Sequence, residues 1–225
     1  MDISLLKTIP IFSELSDTEL REIQQVAVRQ TFKKDNMILI EEEVGSTMFI
    51  IIDGRVKISR LNDEGREVIL SILSEGDCFG EMSLLDGQTR SANVVTLSDS
   101  EILIIRREDF LQMLHDYPQI AINLLKELVH RLRRSDSQIK SLSLQNATGK
   151  VASTILRLAD DSGKIRKGQV EIAKLPPQQD LANMAGTSRE TISRVIKSLS
   201  KKGYLKKEGS RLIILDYDTF RSDFS

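Results

Sequence analysis

Two stretches of this 225-residue chain carry side chains able to do recognisable chemistry. The first runs Gly80-Glu81-Met82-Ser83-Leu84-Leu85-Asp86-Gly87-Gln88-Thr89-Arg90-Ser91-Ala92. Arg90 is an isolated cation between apolar runs, so its expected partner is an anion. Gly80 permits close backbone approach, and residues 83–85 can form one helical turn whose amides face a phosphate. Glu81, a pure acceptor when ionised, can take both protons of a sugar diol, or one of them and an amide. Taken singly these residues also fit an ordinary surface ion pair.

The second stretch, Gln178 to Lys197, has the grammar of two helices joined by a tight turn. Ala182 is small where helices cross closely, and Gly186 stands four residues later where the turn needs a positive φ. Ser188 suits the N-cap of the second helix and leaves amides there to face a phosphate. At about 100° per residue from Arg189, Ser193, Lys197, Glu190 and Arg194 fall at roughly 40°, 80°, 100° and 140°. Ile192, Val195, Ile196 and Leu199 fall at roughly 300°, 240°, 340° and 280°, so apolar and polar faces do not overlap. Arginine reads guanine O6/N7 bidentately and a carboxylate accepts from cytosine N4, so the polar face suits base edges in a major groove. Downstream, Tyr204–Lys207 and Arg211–Leu215 flank Glu208-Gly209-Ser210 as a hairpin, with Lys201, Lys202, Lys206, Lys207 and Arg211 placed for phosphate contact.

Other elements must position these groups. The first thirty residues read as short helices, with Ser16 ahead of Leu20, Ile23, Val26 and Ala27 at helical spacing. From Met37 the period shortens, and β-rich runs at 37–41, 48–52, 55–60, 67–73, 92–97 and 101–105 are broken by glycines, the punctuation of an antiparallel roll. After Pro118 a long helix is expected, on which Leu125, Leu128, Leu132, Ser135, Ile139 and Leu142 follow the 3-4 spacing of a coiled-coil seam. Such a stripe serves a dimer or packs on its own domain, and Ser135 needs a polar partner within it. Residues 145–149 read as a hinge, followed by a helix from Val151 to Leu158.

Composition narrows the classes. With 40% hydrophobic and 29% charged residues, four prolines and twelve glycines, the chain is neither collagen-like nor largely disordered. Its longest apolar run, Met48 to Ile52, is far short of the ~20 residues of a membrane-spanning helix. The opening Met1-Asp2-Ile3-Ser4 lacks the order of a secretory signal and Cys78 is the single cysteine, so a cytoplasmic location without disulfides is expected. Residues 1–117 carry 12 basic and 22 acidic side chains, net −10, whereas 118–225 carry 20 and 11, net +9. Only the back half is therefore expected to meet a polyanion. Two histidines and one cysteine, with no nucleophile and base at recognisable spacing, give no catalytic constellation and no metal site.

Together the 80–92 segment resembles the phosphate-binding cassette of cyclic-nucleotide-binding domains, and the whole chain resembles the Crp/Fnr family of bacterial transcription regulators. The resemblance implies an α+β chain: an N-terminal antiparallel β-roll (jelly roll) over 1–117, a dimerisation helix and hinge over 118–146, and a winged helix-turn-helix domain over 147–225. It places Glu81 on a ribose 2′-OH and Arg90 on a cyclic phosphate, with Gly80, Met82, Ser83 and Ser91 completing the cradle. Anchored on Arg131-Leu132 and Thr148-Gly149, the base-contacting pair falls at Ser135 and Asp136. Asp136 departs from the Thr/Ser pair of the cAMP-binding members. An ionised carboxylate there accepts from an adenine amino group or from guanine N1 and N2, or points into solvent. Gln178, Ser188, Arg189, Glu190, Ser193, Arg194 and Lys197 would contact DNA, and the target would be an inverted repeat with TGTGA- or TTGA-like half-sites bound by a homodimer. The implied effector is cAMP or another cyclic nucleotide, with no covalent cofactor and no membrane, and an activator would also meet RNA polymerase. A redox or gas effector on the same scaffold stays open through Cys78, His115 or His130 as haem ligands, although one cysteine is too few for an iron–sulfur cluster. The same β domain also occurs as a regulatory module of enzymes, against which the helix-turn-helix argues.

Overall fold

The computed structural model describes residues 3–166 and 168–224, so Met1 and Asp2 of the opening tetrapeptide lie outside it. Helix α1 (Ile3–Lys7), a 3-10 turn (Pro10–Phe12) and α2 (Asp17–Val26) open the chain. Ser16 begins α2 with a capping box: its hydroxyl accepts from the Glu19 amide, and the Glu19 carboxylate accepts from the Ser16 amide at 2.7 Å. The helical run stops at Val26, earlier than expected, because β1 (Val28–Phe32) pairs with a strand seventy residues away.

The roll contains β2 (Met37–Leu39), β3 (Thr47–Asp53), β4 (Arg55–Leu61), β5 (Glu67–Ser74), β6 (Cys78–Phe79), the short α3 (Met82–Asp86), β7 (Asn93–Thr96) and β8 (Ser100–Arg106). Two antiparallel sheets form, ordered β1-β8-β3-β6 and β2-β7-β4-β5. The run Met48–Ile52 is wholly buried because β3 is covered on both sides. Phe49 and Ile51 pack between the sheets with Val56, Phe79, Val94 and Ile102. Met48, Ile50 and Ile52 pack oppositely against Leu6, Phe12, Leu20 and Phe110. A strand covered twice reads as a continuous apolar run, whereas the half-exposed strands alternate.

Helix α4 (Arg107–Asp116) precedes the 27-residue α5 (Pro118–Leu144). The chain forms two compact units that meet within α5, one through Leu132 and the other from Arg133. Ile120 and Leu124 of its first half join the helix-side core, with Leu128 partly buried against it. Of the expected seam, Leu125, Leu132, Ser135 and Ile139 are exposed, Leu128 is partly buried against the helix-side core and Leu142 is half-buried. The exposed apolar positions Ile122, Leu125, Val129, Leu132 and Ile139 follow a second 3-4 register in which Asp136, not Ser135, occupies the fifth place; Leu144 is exposed outside it.

The second unit adds α6 (Ala147–Ser162), β9 (Lys164–Arg166), β10 (Gln169–Ile172), α7 (Gln178–Ala185), α8 (Arg189–Lys201), β11 (Leu205–Glu208), β12 (Arg211–Ile214) and α9 (Tyr217–Phe224). Its sheet runs β11-β12-β10-β9. The expected hinge at 145–149 is largely structured. Asn146 caps α6 by accepting from the Gly149 amide at 3.0 Å, which places Gly149 inside the first turn of α6. The Gln145 side-chain carbonyl accepts from Ser141 Oγ and Ser153 Oγ, both at 2.7 Å, while its amide donates to the Phe224 carbonyl at 3.2 Å.

Candidate functional sites

Arg90 leaves the roll after α3 and turns inward, with 6% of its surface exposed. Nη1 donates to the Gly80 carbonyl at 2.7 Å and to Ser83 Oγ at 2.8 Å, and Nη2 donates to the Thr47 carbonyl at 2.8 Å and to Thr47 Oγ1 at 3.3 Å. Phe49, stacked on Phe79, supports the guanidinium from 5.9 Å. Every one of these partners is neutral, and among the described residues no carboxylate lies within ion-pair distance of Arg90. Burial pulls the guanidinium below its ordinary value, partly offset by Glu81 and Glu43. The charge is thus solvated by dipoles without being neutralised, a state that favours an incoming anion.

Two glycines keep this cradle open. A Cβ at Gly45 would lie 2.3 Å from Ser83 Oγ and 2.7 Å from Arg90 Cζ, and one at Gly80, where φ is +80°, would lie 2.9 Å from Arg90 Nη1. Beside them Glu81 is buried at 2% exposure, with Oε1 accepting from Arg131 Nη1 at 3.3 Å and Oε2 without a hydrogen-bond partner among the described residues. Burial pushes the Glu81 carboxyl above its usual range, against the pull of Arg131. Arg131 also donates to the Cys78 carbonyl at 2.7 Å and to Glu127 at 2.9 Å.

The structure thus brings Gly80, Glu81, Ser83 and Arg90 together. Met82 and Ser91 sit exposed at the rim, where Ser91 Oγ meets Met82 Sδ at 3.8 Å. Ser135 and Asp136 lie exposed on α5 in the second unit. Sequence reasoning missed Thr47, Gly45 and Arg131 as parts of the cradle. The glycine before Ser46-Thr47 was the available signal for the first two, and Arg131 served only as an alignment anchor. Cys78 is fully buried and its thiol is pushed up to about 12 by burial and by Glu81, which makes it a poor thiolate donor at neutral pH.

In the second unit α7 and α8 form the expected pair. Gly186 adopts φ +58°, and both its amide and that of Thr187 donate to the Ala182 carbonyl, closing α7 in a left-handed cap. Ser188 Oγ accepts from the Thr191 amide at 3.2 Å. Ile192, Val195, Ile196 and Leu199 are buried, while Arg189, Glu190, Ser193, Arg194 and Lys197 are exposed on the opposite face; Gln178 is half-buried at the start of α7. On the adjoining hairpin Lys206 pairs with Glu208 and Arg211 with Glu171, which leaves Lys201, Lys202 and Lys207 as exposed cations without a charged partner among the described residues.

A roll with a buried arginine that meets only neutral partners, followed by a helix-turn-helix with an adjoining hairpin, is the architecture of a DNA-binding regulator. Residues 29–117 match the cyclic nucleotide-binding domain family and residues 149–222 match the Crp-like helix-turn-helix domain family. The Cyclic AMP receptor protein of Thermus thermophilus is 33% identical over 201 residues, spanning 89% of this chain and 90% of that protein. Among solved structures, a CooA mutant from Carboxydothermus hydrogenoformans superposes with a TM-score of 0.79 at 22% identity, covering 98% of this chain and 95% of that one. The c-di-GMP responsive global regulator CLP of Xanthomonas campestris superposes at 0.73 with 23% identity, covering 89% and 99%. This chain belongs to the Crp/Fnr family of transcription regulators, and as such it is a DNA-binding regulator and not an enzyme. None of its described helices is long and apolar enough to cross a membrane.

Proposed function

We propose that the chain is a homodimeric, cytoplasmic regulator whose effector is a cyclic mononucleotide, in the first instance cAMP, held in the Arg90 cradle. The carrying observation is the buried Arg90 guanidinium that meets only carbonyls and hydroxyls, next to the unpartnered Oε2 of Glu81. A cyclic phosphate supplies the missing negative charge and a ribose hydroxyl supplies the missing donor. Gly80, Ser83 and Ser91 would border the phosphate, with Met82 at the rim and Ser135 and Asp136 facing the base. The name of the Thermus relative supports cAMP, whereas the c-di-GMP regulator marks how far effectors vary on this fold. Asp136 is the residue on which a preference for adenine or guanine would turn. DNA would be read as an inverted repeat, with Gln178, Ser188, Arg189, Glu190, Ser193, Arg194 and Lys197 contacting each half-site. The two copies would join through the exposed α5 stripe, and RNA polymerase would be a partner at activated promoters.

Calorimetry with cAMP and with cGMP on wild type and Arg90→Ala tests the pocket. Binding that disappears on truncation supports it, and equal binding by the variant overturns it.

A further inference from the structure

Three charged side chains of the second unit, none of them on α8 or the β11–β12 hairpin, are gathered where α5, α6 and α7 meet. Asp161, in the last turn of α6, accepts from Arg134 Nη2 of α5 at 2.5 Å. Arg157 lies one turn earlier on α6, and its Nη2 reaches the carbonyl of Met184, in the last turn of α7, at 3.5 Å. Burial pushes the Asp161 carboxyl up and the Arg157 guanidinium down; Arg134 and Arg157 oppose the first shift, and Arg134 reinforces the second. A second contact runs between the same elements. Leu142 of α5 lies so close to the turn after α7 that a Cβ at Gly186 would stand 2.9 Å from its Cδ2.

Stability does not explain such a triad. The Arg134 and Asp161 side chains keep 31% and 24% of their surface exposed, and ion pairs so placed contribute only about 0–1 kcal/mol. Guanidinium–carboxylate contacts do supply direction, because the planar fork accepts a narrow range of approach angles. We propose that Arg134, Asp161 and Arg157 are positioning residues that fix the recognition helix α8 relative to the end of α5. The contacts run from Arg134 to Asp161, along the last turns of α6 to Arg157, from Arg157 to the Met184 carbonyl of α7, and onward to α8 through the turn Gly186-Thr187-Ser188. In a dimer held through α5, this relay sets the separation of the two recognition helices. The inference therefore rests on the proposed symmetric dimer.

The test measures full-length protein on a duplex selected by the wild type from a randomised pool, and on the same duplex with its half-sites moved apart by about two base pairs. Wild type should discriminate between the two. Asp161→Asn should lower the discrimination about tenfold, the scale of one lost charge-assisted contact, with a Tm within a few degrees of wild type. Asp161→Glu, which keeps the carboxylate, should retain most of it. A merely structural role would weaken both duplexes equally and leave their ratio unchanged, and that result overturns the relay. Should Asp161→Asn fail to fold, Arg134→Gln gives the same reading from the more exposed end of the pair. Wild type indifferent to spacing overturns the dimer reading, and the relay's role with it; a spacing-sensitive wild type with an unaltered variant overturns the relay alone.

Discussion

Replacing Gly45 by alanine adds one methyl group and nothing else, and the structure states where it goes. The new carbon would stand 2.3 Å from Ser83 Oγ, 2.7 Å from Arg90 Cζ and 2.8 Å from Arg90 Nε. Ordinary carbon contacts begin near ~3.5 Å, so the guanidinium must retreat by roughly 1 Å. It is held by hydrogen bonds of 2.7–2.8 Å to Gly80, Ser83 and Thr47, and such a shift breaks them. Gly45 does not have a positive φ, so alanine fits its backbone and the cost is steric. Overpacking of this kind costs about 1–3 kcal/mol of stability. Displacing the fork from a phosphate loses two charge-assisted bonds of about 1.5–3 kcal/mol each, which is at least a hundredfold in Kd. Calorimetric titration with cAMP, alongside urea unfolding, reads both quantities. Wild-type affinity in Gly45→Ala would refute the cradle reasoning even if stability fell as expected.

Glu81 makes the fold pH-dependent with a defined sign. Its folded value lies above the ordinary 4.5, so its stabilising effect is complete below that pH and is lost as pH rises through the folded value. Glu81→Gln, neutral throughout, should be more stable than wild type in urea at pH 7, with the difference closing near pH 4, and should bind cAMP more weakly. Cys78 should alkylate about a thousandfold more slowly than an open thiol at pH 8, given a value of about 12 against 9.0, and should react normally once urea unfolds the roll. Gly186→Ala should lose about 1–2 kcal/mol or more, because φ is +58° and the methyl meets Leu142, and specific DNA binding should weaken with it.

The parts legible in the sequence are those fixed by local periodicity. The α8 faces follow from a 3.6-residue repeat, and Gly186 from the φ its turn requires, so Ile192 and Arg189 fall on the expected sides. Arg90 stood out because it interrupts apolar strands. Its companions Thr47 and Gly45 were hidden because more than forty residues separate them from it, and only sheet closure brings them near. Helix α4 and the β9–β10 hairpin carried patterns too short to separate from their surroundings, and β1, exposed along most of its length, owes its strand form to pairing with β8. The stripe on α5 was ambiguous for a different reason. Leu125, Leu132 and Ile139 satisfy two overlapping 3-4 registers, and only the inward packing of Leu128 and Leu142 selects between them. On the exposed register the stripe carries a carboxylate, Asp136, which in a dimer joined there would set register at a cost in stability.

Coupling between the Arg90 cradle and the recognition helices is best tested by closing a thermodynamic cycle. DNA affinity is measured without and with saturating cAMP, and cAMP affinity without and with saturating selected duplex. Two-site coupling requires both ratios to be the same factor, greater than one if the ligand favours the DNA-binding state. Equal factors in wild type and loss of the effect in Arg90→Ala are the predicted result. A DNA affinity indifferent to cAMP that is bound in the cradle would contradict it.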